Sequence, residues 1–221
     1  MGEKKGDNLE RGLSSEFFSV QEVLSQSSLR LSNASFEPVD DSVTATLEAL
    51  LVATAADHTH WFTIPGLPAG RSFAARSRNQ SALPPFPAPS ELPWIVDQLE
   101  EQRIVVVGRV DALPRAAAAD KQVLSARGVK SMVFLPASCG RDETGVLVVE
   151  HFSKEHFYPE DVLSQLQIVS RLIGLALASK RVRMANRAIE HQFCNIFEQP
   201  LIGMAFADMD GRLLRVNHEL R

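Results

Sequence analysis

Two rhythms of apolar residues alternate along the chain, one recurring every three or four positions and the other dense in β-branched and aromatic side chains. Between Leu13 and Leu31, Phe17, Val20, Leu24 and Leu29 fall at roughly helical spacing. They predict an amphipathic helix outside the main core, available as a dimer contact. Asp40, Asp41 and Ser42 supply N-cap chemistry, and Val43, Leu47, Leu50, Leu51 and Thr54 trace one face of a helix from about Asp40 to Ala56. At His58 the rhythm changes. His58 to Ile64 reads as a strand that stops at Pro65 and Gly66, with Arg71 to Ser77 as its hairpin partner.

Five prolines between Leu83 and Pro93 exclude regular structure over most of that stretch and predict a surface loop. Leu92, Ile95, Val96 and Leu99 then give a short helix ending near Arg103. Ile104 to Val107 is a continuous β-branched run, as expected of a strand covered on both faces. Ala116 to Arg127, closed by Gly128, reads as a second short helix, and Val129 to Leu135 and Val146 to Phe152 as an antiparallel hairpin around a polar turn, Gly140 to Gly145.

From Pro159 to about Phe197 no strong helix breaker intervenes, but the apolar stripe shifts partway. Val162, Leu166, Val169, Ile173 and Ala176 form one seam; Leu172, Leu175, Ser179, Val182, Asn186, Ile189, Phe193 and Ile196 form another in alternating steps of three and four. The first half is expected to pack on its own domain and the second, with Asn186 at an a position, to pair with a parallel partner helix; a helix folded wholly against its own sheet is the alternative. Met204 to Ala207 and Leu213 to Val216 flank Asp210-Gly211, a type I′ hairpin signal. A lone hairpin is marginally stable, so the last residues read as the start of a domain that the chain does not complete.

Composition narrows the class. At 221 residues, 45% hydrophobic and 23% charged, with a formal charge of -4, the chain reads as a soluble globular protein with no attraction to nucleic acid or anionic membranes. No apolar leader follows the charged first residues and no run of about eighteen apolar residues occurs, so a cytoplasmic location without membrane insertion is expected. Cys139 and Cys194 are then free thiols.

Chemistry is sparse. His58 and His60 share one face of a strand, and His151 and His156 lie near the exit helix, which raises a metal or haem site; no acidic or cysteine partner stands at ligand spacing, and no metal site is expected. Cys139, in a polar turn, is a candidate redox thiol without a neighbouring Lys or His. Lys180, Arg181, Arg183 and Arg187 read as a solvated helix face. There is no phosphate loop, nucleophile elbow, phosphoacceptor helix or cyclase motif, and no catalytic residue is assigned.

The element order predicts a mixed α/β (α+β) fold, a central antiparallel sheet with helices on both faces and a long C-terminal helix. At this point particular residues resemble a family. The stretch from Glu91 to Ala137, with Trp94 opening a helix, Val105 to Val107 as the central strand, Leu113-Pro114 opening the next helix, and Gly128, Ser131 and Pro136 about the following strand, resembles the GAF sensor domains found ahead of bacterial histidine kinases and diguanylate cyclases. The segment "GVLVVEHFSKEHFYPEDVLSQLQIVSRLIGLALASKR" is similar to their closing strand and exit helix. Two departures stand out: Ala116 where these domains often carry an acid, and Tyr158 where they often carry tryptophan. The tail from Ile196 is similar to the opening of a PAS domain.

The resemblance implies a flexible N-terminus over 1–12, a GAF-like sensor over 13–178, a coiled-coil linker helix over 179–196 and a truncated PAS-like start over 197–221. It implies a pocket between the sheet and the short helices, walled by Phe73, Trp94, Val106 and Phe134, each of which is otherwise core, for a small ligand or cofactor of unknown identity. Val182, Asn186, Ile189 and Phe193 would form the homodimer helix. The expected role is a sensory module of a two-component or cyclic-di-GMP pathway; a dimerisation scaffold with a degenerate pocket, or a redox enzyme of this fold, are the alternatives.

Overall fold

The computed structural model describes residues 20–31, 38–64, 72–77, 85–140, 143–198 and 202–221. Five strands, β1 (His58–Ile64), β2 (Phe73–Arg76), β3 (Val105–Val107), β4 (Ser131–Ser138) and β5 (Thr144–His151), form one sheet in the order β2-β1-β5-β4-β3. Every neighbouring pair is antiparallel. The strand read from His58 to Ile64 and its hairpin partner form as the residue pattern predicts. β5 is the middle strand, paired to β1 from His58↔Glu150 to Ile64↔Thr144 and to β4 from Ser131↔His151 to Ser138↔Thr144.

Alternation along the strands sends one set of side chains to each face. On one face Trp61, Val133, Leu135, Leu147 and Val149 form a core with α1 (residues 20–31), α2 (Val39–Ala53) and the start of α5 (Glu160–Phe197). Val43, Leu47 and Leu50 come from α2, and the first predicted seam, Val162, Leu166, Val169, Ile173 and Ala176, from α5. On the other face Met132, Phe134, Val146 and Val148 meet Ile95 and Leu99 of α3 (Pro93–Glu100) and Leu124 of α4 (Ala118–Ala126).

The sequence reading needs four corrections here. The N-terminal helix does not lie outside the core: Val20, Val23 and Leu31 are buried in it and Leu24 packs against it, while Leu29 is exposed. β3 is an edge strand, not a central one covered on both faces; Val106 is 45% exposed while Val105 and Val107 are buried, since α3 and α4 cover only their side. α2 begins at Val39 after Pro38, with no side-chain cap, and Asp40 and Asp41 instead sit in the first turn, where the helix dipole favours acids. The last hairpin, β6 (Ala205–Ala207) and β7 (Leu213–Val216), is not closed by a type I′ turn, because Gly211 takes φ +82° but Asp210 does not go positive. Asp208 holds the loop instead, its Oδ1 accepting the N–H groups of Asp210 and Arg212.

Two close approaches fix the α5 side. Gly145 has room for no side chain, since a Cβ there would collide with the Trp61 ring and lie 2.5 Å from Cys139 Sγ. Gly174 lets α5 run close over β4, where a Cβ would stand 3.0 Å from the Ser138 carbonyl. On the opposite face the fully buried Asp120 of α4 caps α3, its Oδ1 accepting from the Ile95 N–H at 3.0 Å and its Oδ2 from the Trp94 N–H at 3.3 Å.

Contacts divide the chain into two compact units, Met1–Ala178 and Ser179–Arg221. In the second, Phe193, Phe197 and Phe206 gather at centroid distances of 5.2 to 5.9 Å, and Asn217 is buried, its side chain accepting from Met204 N–H and donating to the Ile202 carbonyl. Among the described residues α5 alone is long and apolar enough to cross a membrane, and half of its most apolar window is buried inside the fold. Such a window is what the core helix of a sheet-packed domain also presents.

Candidate functional site

Period-two geometry puts His58, His60 and Phe62 on the α3/α4 face, and the β1–β5 register sets Glu150 opposite His58. The His58 Nδ1–H donates to Glu150 Oε2 at 2.6 Å, and both side chains are almost wholly buried. Arg127 enters at the end of α4, just before Gly128, whose φ of +78° turns the chain into β4. Its guanidinium donates to the same Oε2 at 3.1 Å and to the Pro85 carbonyl, and lies over the Phe86 and Phe152 rings at 5.4 and 5.5 Å. His60 stands 4.3 Å from the His58 ring and 4.9 Å from Phe86.

A carboxylate and a guanidinium are expensive to bury, and here each compensates the other. The compensation is incomplete. Glu150 Oε1, His58 Nε2 and His60 Nδ1 are buried and have no hydrogen-bond partner among the described residues. A carboxylate accepts only, so in the neutral form of His58 the proton is on Nδ1 and the lone pair on Nε2. Burial, and secondarily the facing His58, lowers the His60 pKa to about 4, so its ring is neutral at pH 7. The arrangement is a polar island on an apolar face, whose buried Glu150 Oε1, His58 Nε2 and His60 Nδ1 meet no partner among the described residues.

The residue after Glu150 faces the other way. His151 Nε2 lies 2.7 Å from the Tyr158 hydroxyl, and its ring stacks on His156 at 4.5 Å. Burial, then His156, lowers its pKa to about 4. Asp57 Oδ2 accepts from the Phe152 and Ser153 N–H groups and the Ser153 hydroxyl, which fixes the end of β5.

The four residues expected to wall a pocket do not share one wall. Phe134 is fully buried on the α3/α4 face and Trp94 packs there, whereas Phe73, paired with Trp61, packs on the α5 side. Val106, paired with Val133, points to that same side from the exposed edge. Period two decides this: the expectation chose apolar residue types without register. Cys139, read as a redox thiol in a polar turn, is buried against Trp61 and Gly145 on the α5 side. Of the distal helix residues, Val182, Asn186 and Ile189 are exposed, and Phe193 stacks within its own unit.

Sequence reasoning missed Glu150 and Arg127. Glu150 carried a signal, an acid between Val149 and His151 in a buried strand, which must be paired; naming its partner needs the register. Among the described residues no group of three or more His, Cys, Asp or Glu gathers as a metal cluster.

The comparisons with known proteins agree with this architecture. A family model described as the GAF domain matches residues 38–177. The phycocyanobilin-bound GAF domain of a cyanobacterial phytochrome is 21% identical, with 74% of this chain and 96% of that one covered at a TM-score of 0.60. The GAF domain of a phosphoenolpyruvate-protein phosphotransferase from Coxiella burnetii is 13% identical, with 76% and 98% covered at 0.56. A third GAF domain, from Synechocystis, is 12% identical, with 71% and 99% covered at 0.54. No curated protein matches the chain.

Proposed function

The chain belongs to the GAF domain family, and on that premise we propose that it is the sensory and regulatory module of a cytoplasmic bacterial signalling protein of two-component or cyclic-di-GMP type. The observation that carries the reading is the polar island of His58, His60, Glu150 and Arg127, packed beneath Pro85 and Phe86, with Glu150 Oε1, His58 Nε2 and His60 Nδ1 unmet among the described residues. A native core pairs its buried polar groups, and three unmet atoms gathered around one ion pair, on His58, His60 and Glu150, are where water or a small ligand would complete the network. The cysteine-tethered use of this fold for tetrapyrroles has no support, since among the described residues no cysteine lies on the histidine face.

Signalling needs no catalysis here. Ligand binding biases packing at the end of β5, and α5, continuous from Glu160 to Phe197, carries the change to a partner helix. Val182, Asn186 and Ile189, exposed beyond the packed half, are the proposed dimer seam, with Phe193 at its end. Residues 197–221 are PAS-like in this reading.

A thermal-shift screen of the full chain with nucleotides, haem, tetrapyrroles and amino acids tests the reading. A true ligand at a hundred times its Kd adds about 2.7 kcal/mol. The shift should shrink in Glu150→Gln. A shift undiminished in that variant places the ligand elsewhere. The scaffold alternative is favoured by one observation, that Arg127 and Phe86 already fill the space over His60, and it predicts no shift with any compound.

A further inference from the structure

We propose that His58 and His60 form the protein half of a binding site for a divalent transition-metal ion of the imidazole-preferring kind, such as zinc, cobalt or nickel. The inference rests on the reading of this face as the ligand site and names what enters it. Two histidines one residue apart on a strand project from the same face, and their ring centroids stand 4.3 Å apart. Ligating histidines characteristically donate their second ring N–H to a carboxylate, which fixes the tautomer and raises the basicity of the ligating nitrogen. His58 is placed to do this: Nδ1 lies 2.6 Å from Glu150 Oε2, and in the neutral ring that leaves the lone pair on Nε2.

That lone pair is buried and unmet among the described residues, and so is His60 Nδ1. Buried imidazole nitrogens with no donor in reach are costly to leave as they are. Arg127 does not oppose the ion as a bare charge, because it is paired to the same carboxylate oxygen. The expectation of no metal site rested on the lack of an acidic neighbour in sequence. The register supplies one, as an outer-shell group rather than a ligand. Two imidazoles are fewer ligands than a closed structural site has, so the remaining coordination positions fall to water or a small donor molecule, which requires Arg127 and Phe86 to move off His60 as the ion enters.

The test uses the full chain stripped with a chelator and titrated with zinc or cobalt chloride alone. Expected are one ion per chain by calorimetry, a rise in melting temperature, and a visible cobalt absorption of imidazole ligation. His58→Ala and His60→Ala should each abolish the cobalt signal, and Glu150→Gln should weaken affinity about ten- to a hundred-fold while leaving both ligands in place. Circular dichroism of the metal-free variants confirms that they fold. His191→Ala and His218→Ala, in the second compact unit, should change nothing. Absence of binding, or binding that survives both His58→Ala and His60→Ala, overturns the proposal. If metals fail and an organic compound shifts the wild-type melting temperature, the metal inference falls and the sensory reading stands; if neither shifts it, both fall.

Discussion

Glu150 and His151 are consecutive in β5 and serve opposite faces of the sheet: Glu150 holds His58 at 2.6 Å on the α3/α4 side, and His151 holds Tyr158 at 2.7 Å on the α5 side. Tyr158 immediately precedes Pro159 and the start of α5, so one dipeptide joins the polar island to the root of the long helix.

Tyr158→Phe removes one hydroxyl and leaves the buried His151 Nε2 without its partner. Chemical denaturation should show a loss of about 1–2 kcal/mol, since an unmet buried nitrogen bears its full desolvation penalty. Ligand affinity at the other face should be unchanged if the pair is only structural, and altered if it transmits.

Removal of one member of the buried ion pair costs more than removal of both. Glu150→Leu strands the Arg127 charge and should destabilise by about 3–5 kcal/mol, and Arg127→Met added to it should recover most of the loss. A double variant no more stable than the single one would contradict the pairing.

Acid should weaken the fold through its histidines. His60 and His151 titrate at about 4 when folded and near 6.5 when unfolded, so between these values the unfolded chain binds more protons. Stability is complete above pH 6.5 and falls as pH drops toward 4, by at most about 3 kcal/mol for each histidine. Unfolding of His60→Phe across that window should show a shallower slope than wild type.

Gly145→Ala introduces a Cβ into the Trp61 ring and against Cys139. A loss of about 1–3 kcal/mol is expected from overpacking, measured by thermal melting. The double change with Cys139→Ala should regain less than half of it, because the tryptophan clash remains.

Sedimentation of the full chain should report a dimer. Ile189→Glu puts a charge in the exposed seam and should give a monomer with an unchanged melting transition of the sheet domain. A dimer that persists in this variant assigns association to another surface.

Much of the architecture was legible because it is local. His58–Ile64 and the α5 seam from Val162 to Ala176 show their periods in sequence and form as read. What could not be read depends on register and on what covers each element. Val106 in a β-branched run looks central until the sheet order makes it an edge, and Val20 and Val23 look peripheral until α1 is seen to pack. His58 and Glu150 are 92 positions apart, and no local pattern joins them. The candidate walls failed for the same reason: Phe73 and Phe134 are alike in type and differ in the parity of their strand position.

The Asp120 cap has a mechanical consequence. A carboxylate on one short helix closes the start of the other, so to part α3 from α4 is to strand a buried charge and two amide hydrogens at once. The shared carboxylate ties the two short helices into one cover over the histidine face, and hydrogen exchange of the Trp94 and Ile95 amides should therefore proceed at a common rate.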